Sequence, residues 1–172
     1  MEVIQALTAE GAGADPNQVE DEYSCSCSSL HIAAGLNQPR SVAALVRAGA
    51  NVDLADCSGQ TPLCHAVKHG SREALIALLV ARAMVNVVAE KGATPVFFAA
   101  QDGLLDILKL LIKAGGNVNL VTNSTPSSSE TDYVGGFSPL MIATQGGFFE
   151  VVELLLANGP MCTTRAIVAT LL

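Results

Sequence analysis

Apolar residues return at three- and four-residue spacing in four stretches of the chain: Val42, Leu45 and Val46; Leu75, Leu78 and Leu79; Ile107, Leu110 and Leu111; Val151, Leu154 and Leu155. That spacing places each set on one side of a helix. Ahead of each stretch lies a shorter segment, read in the phrases SSLHIAAGLN from Ser28, SGQTPLCHAV from Ser58, GATPVFFAAQDG from Gly92 and GFSPLMIATQGG from Gly136. Ser28, Thr61, Thr94 and Ser138 fall in register at spacings of 33, 33 and 44, the last being one period plus an insertion of 11.

One unit reads as two short helices. The hydroxyl of Thr61 can accept a hydrogen bond from an unpaired amide at a helix start, and Pro62 suits the first helical position, where no amide hydrogen is required. Gly70 stands where the first helix must stop, and glycine takes the left-handed backbone of such a stop at little cost; Asn37 is the next best residue for the equivalent place. The second helix runs to a turn near Gly49, Gly115 or Gly159. Arg82 occupies that place in the second unit, which predicts a reshaped or weakened loop there, because a non-glycine residue in left-handed backbone costs about 1 kcal/mol or more. Paired helices of about ten residues are marginal alone. Their apolar sides must be covered by neighbouring units, so the predicted fold is an all-α elongated stack.

Thr61, Pro62, Leu63, Ala66 and Gly70, with the later AGANVD of residues 48–53 and AGGNVN of residues 114–119, resemble the ankyrin repeat, whose 33-residue period is specific. The resemblance divides one domain, residues 1–172, into a half repeat at 1–17, repeats at 28–60, 61–93, 94–137 with the insertion, and 138–159, and a cap or tail at 160–172. It implies a curved solenoid of antiparallel helix pairs joined by hairpin-like loops. It also implies that His31 braces a loop by hydrogen bonding, a brace lost where Cys64 stands in the equivalent place. It further implies a non-enzymatic module that binds a protein through its concave face and loop tips. That face would carry Cys57, Ser58, Gln60, Lys68 and His69, then Glu90, Lys91, Ala93, Gln101 and Asp102, then Phe137 and Gln145. Phe137 either anchors a partner or packs under the inserted loop. Alternatives are a targeting or regulatory segment of a larger protein, and a small inhibitor similar to the four-repeat ankyrin inhibitors of cyclin-dependent kinases.

Composition narrows this reading. The chain is half apolar, yet its longest apolar run, Ala74 to Ala81, is far short of the roughly 18–20 residues a membrane helix needs. The start, MEVIQALTAE, lacks a secretory pattern, so the expected setting is intracellular, cytoplasmic or nuclear. Net charge is −7, and residues 1–23 hold six acids with no Lys or Arg, which disfavours nucleic acid and suits a basic partner. A monomer is expected. Five cysteines are an odd set without repeated spacing and read as free thiols.

Phosphate-loop, dinucleotide, nucleophile-elbow and zinc-protease motifs are absent, and no cofactor is expected. His65 and His69, near Cys64 and Cys57, could be written as a zinc set, but His65 should point between the helices and His69 outward, so no metal site is expected of them. Cys64, His69 and Asp102 could be written as a catalytic set. His69 and Asp102, however, lie one repeat apart at equivalent places. The insertion VTNSTPSSSETDYVGG, from Val121 to Gly136, reads as a mobile loop, with Thr125, Ser128 and Ser129 as candidate phosphorylation sites.

Overall fold

A computed structural model describes residues 14–19, 26–122 and 136–159. The described residues form eight α-helices in four antiparallel pairs: α1 (Ser29–Gly35) with α2 (Pro39–Arg47), α3 (Pro62–Lys68) with α4 (Arg72–Val80), α5 (Pro95–Gln101) with α6 (Leu105–Lys113), and α7 (Pro139–Gln145) with α8 (Phe149–Asn158). First helices pack on first helices, α1 on α3 on α5 on α7, and second helices follow suit, α2 on α4 on α6 on α8. Among the described residues the buried apolar side chains form one cluster that runs along the stack. Each unit covers the next, as short helices with one apolar side require.

Local chemistry sets the helix boundaries. The hydroxyl of Thr94 accepts from the Phe97 amide at 3.2 Å, and that of Ser138 accepts from the Met141 amide at 3.2 Å. Thr61 departs from the expected cap: its hydroxyl donates to the Cys64 sulfur at 3.7 Å and accepts no helix amide. The thiol at the third helical position supplies an acceptor that the Phe97 ring lacks. Asn37, Gly70, Gly103 and Gly147 all have positive φ. The left-handed step turns the chain so that the amides of Gln38, Ser71, Leu104 and Phe148 donate to the carbonyls of Ala33, Ala66, Ala99 and Ala143 at 2.8–3.1 Å. These alanines are buried where the helices meet, and their small side chains let the backbones approach.

The second helices end alike. Gly49, Arg82 and Gly115 have φ of 91°, 64° and 92°. After them, the amides of Ala50, Ala83 and Gly116 donate to Leu45, Leu78 and Leu111 at 3.0, 3.0 and 2.8 Å. The expected reshaping of the loop at Arg82 is therefore not found, because arginine adopts the glycine conformation and the hydrogen bond is kept. What remains is the strain of a Cβ in left-handed backbone. Gly159, expected to match Gly49 and Gly115, is instead extended, with φ −76° and ψ 158°.

Packing follows the repeat. Leu30, Leu63 and Val96 on the first helices, and Val42, Leu75 and Leu108 on the second, are fully buried at 33-residue intervals. Each such side chain contributes about 1.5–3 kcal/mol of burial. The insertion's base is closed where the Thr122 amide donates to the Phe137 carbonyl at 3.0 Å and the Phe137 amide donates to Thr122 Oγ1 at 2.9 Å. A Cβ on Gly136 would collide with the Thr122 carbonyl, so this closure requires glycine.

Candidate functional site

The loop between α2 and α3, with the first helices on either side, gathers most of the polar chemistry. Asp56 begins it. Its Oδ1 accepts from the amides of Ser58 at 2.8 Å and Gln60 at 2.9 Å, a turn signalled in the sequence by Asp-Cys-Ser-Gly. Its Oδ2 receives His65 Nε2–H at 2.9 Å. Burial pushes the Asp56 carboxyl upward, but the hydrogen bonds from His65, Gln60 and Ser58 outweigh it and leave the group below its usual range.

His31 approaches the same loop from the first repeat. The Ser28 amide and hydroxyl both point at His31 Nδ1, at 3.1 and 2.9 Å. An amide can only donate, so Nδ1 is the acceptor and the proton sits on Nε2, which donates to the Gln60 carbonyl at 3.1 Å. This is the brace that the family resemblance implied. Burial lowers the His31 pKa, with the Gln60 hydrogen bond opposing. Its ring meets that of His65 edge-on, 4.9 Å between centroids.

The sequence-derived surface residues divide into three groups. Lys68, His69, Gln101, Asp102 and Gln145, at the ends of α3, α5 and α7, are exposed together on one side of the stack, and Glu90 and Lys91 are exposed at the next loop tip. Lys68 Nζ donates to Gln60 Oε1 at 3.1 Å and lies 5.4 Å from the Phe98 ring centroid, so its charge is already held against the neighbouring repeat. Ser58, Gln60 and Phe137 are half-buried, which makes Phe137 less open than an exposed anchor. Ala93, expected on the face, is buried, because its carbonyl and amide close the turn with Ala89 and Glu90. Thr125, Ser128 and Ser129 lie outside the described residues.

Cysteine chemistry differs from the reading as free thiols. Cys57, exposed on the loop, is disulfide-bonded, whereas Cys27 and Cys64 are free. Burial raises the Cys64 pKa and makes its thiol inert. The zinc set written from sequence does not assemble: Cys64 is buried, Cys57 is oxidised, and the His69 ring centroid lies 6.4 Å from that of His65. Instead Cys27 Sγ, an Asp56 carboxylate oxygen and a His65 nitrogen lie within 4.8 Å of one another. Sequence reasoning missed Cys27 and Asp56, since only the stacking of the first repeat on the second joins them.

Four stacked pairs of antiparallel helices, joined by turns with one recurring hydrogen-bond pattern, define a helical-repeat solenoid. A family model described as ankyrin repeats, in three copies, matches residues 1–89 and 75–166, and the chain belongs to that family. Comparison with curated proteins found no significant match. Ankyrin repeats are in general non-enzymatic modules of protein–protein interaction. No described helix is long and apolar enough to cross a membrane.

Proposed function

We propose that this chain binds a protein partner through the row formed by the ends of α3, α5 and α7 and the loop tips beside them. One observation carries the reading. At equivalent places in successive repeats, the scaffold residues recur, while the exposed pairs change from Lys68 and His69 to Gln101 and Asp102. Exposed positions outside the apolar core set specificity by side chain, on a surface that packing has already ordered. The acidic first 23 residues support a partner of basic character.

Affinity capture from native extract tests this reading, comparing the intact chain with a variant in which Lys68, His69, Gln101 and Asp102 are all alanine. These four are exposed, so circular dichroism of the variant is expected to match the parent. A partner captured by the parent and lost by the variant supports the assignment. Equal capture by both places recognition elsewhere.

A further inference from the structure

Cys27 precedes α1 in the first repeat, Asp56 belongs to the loop that leads into the second, and His65 lies on α3; the stack alone brings them together. We propose that Cys27 Sγ, Asp56 Oδ2 and His65 Nε2 bind one divalent cation of the zinc class. Three donor atoms of sulfur, oxygen and nitrogen lie within 4.8 Å of one another, and a zinc ion at its usual bond lengths asks its ligands to stand roughly 3–4 Å apart. Closure demands a movement of about 1 Å at the widest pair. Cys27 and His65 are both partly exposed and can supply it.

Two of the three ligands are already aimed. Asp56 uses Oδ1 for the Ser58 and Gln60 amides, which fixes the carboxylate and leaves Oδ2 as the donor. His65 Nε2 already faces that oxygen at 2.9 Å, so a cation replaces a proton between two atoms that are in position. The His31 ring, held edge-on, limits the swing of the imidazole.

Binding moves two protons. The Cys27 thiol gives its proton to solvent, and the Nε2 proton of His65 is exchanged through solvent for one on Nδ1, leaving the imidazole neutral and Nε2 free to coordinate. Thiolate and carboxylate together cancel the 2+ charge of the ion, and the imidazole remains neutral. A thiolate and an imidazole select against calcium and magnesium, which prefer all-oxygen shells. Three protein ligands leave a fourth tetrahedral position for water or for a donor from a bound protein. The ion would clip the first repeat to the loop that opens the second.

Cobalt(II) titration of the full chain in degassed buffer without added thiol tests the site, since a thiolate ligand gives cobalt a charge-transfer absorption in the near ultraviolet. One equivalent is expected to saturate the band, zinc to displace it, and zinc to raise the melting temperature. Cys27→Ser is expected to abolish the band, and His65→Gln and Asp56→Asn each to weaken cobalt binding at least tenfold. Asn at 56 keeps an acceptor for the two amides, and His65 is partly exposed, so both variants are expected to fold, as circular dichroism would verify. The absence of a band, or a band unaltered in Cys27→Ser, overturns the proposal. So does a band lost in Cys27→Ser but of unchanged affinity in both other variants, which would mean a thiol acting without this carboxylate and imidazole.

Discussion

The first and second repeats follow the same path with different fastenings. In the first, His31 ties its own helix to the loop beyond through the Gln60 carbonyl. Gly49 takes the left-handed step after α2, and Asn17 clamps that turn by donating to the Gly49 carbonyl at 3.3 Å and accepting from the Asn51 amide at 2.6 Å. The second repeat has Cys64 where the brace would be and Arg82 where the glycine would be. Asp53 holds the Met84 amide at 2.8 Å, but a carboxylate has no hydrogen to give the Arg82 carbonyl. Around the third turn the complete arrangement returns, with Asn86 donating to the Gly115 carbonyl at 3.0 Å and accepting from the Asn117 amide at 2.8 Å. The second repeat nevertheless keeps its shape, with Ala74, Leu75 and Leu78 fully buried. Burial sets the path, and the fastenings set how firmly each joint is held.

The largest expected effect tests the brace. His31→Ala leaves the Ser28 amide and the Gln60 carbonyl without their buried partner and is expected to lower unfolding free energy by about 2–4 kcal/mol in urea. Cys64→Ala, at the equivalent place, removes a small group and the weak sulfur acceptor of the Thr61 hydroxyl, which can turn to the helix amide instead, and is expected to cost about 1 kcal/mol. Equal losses would mean that the histidine contributes packing and no brace.

Next in size is the conversion of the sound third joint into a copy of the second. Gly115→Arg with Asn86→Asp imposes left-handed strain and removes one donor, and is expected to lower stability by about 1–3 kcal/mol. The reverse repair, Arg82→Gly with Asp53→Asn, is expected to raise it by about 0.5–1.5 kcal/mol, less than the strain and hydrogen-bond terms together because glycine also loosens the unfolded chain. Thermal unfolding reads both. A repaired protein no more stable than its parent would show that Arg82 is not strained.

Much of this was legible in the sequence, because a repeat prints its scaffold several times over. Helix starts at Thr94 and Ser138, stops at Asn37 and Gly70, and the buried leucines all follow from the 33-residue register and helical spacing. Arg82 stood out as an exception to the glycine rule, yet whether arginine bends the loop or accepts its conformation depends on hydrogen bonds around Ala83 that no propensity contains. Contacts between unlike residues of neighbouring repeats were out of reach. Cys27, Asp56 and His65 occur once each and at no recurring interval, and the cap at Thr61 turns on a single thiol three residues away.

The smallest expected effect concerns acidity, and it acts through His31. Burial holds His31 below the ordinary histidine value of 6.5, so the unfolded chain binds a proton there that the folded chain refuses. Its contribution to stability is therefore fully present above about pH 6.5 and is lost as pH falls below that through the lower folded value. Asp56, held below 3.8, loses its contribution only in stronger acid and leaves this window clear. Urea unfolding at pH 7.5 and 5.5 is expected to show the parent losing more stability on acidification than His31→Gln, which is weaker at both values but lacks the titrating group. An equal loss in parent and variant would mean that His31 takes up its proton as readily when folded as when unfolded, and that burial does not hold the ring neutral against the Gln60 hydrogen bond.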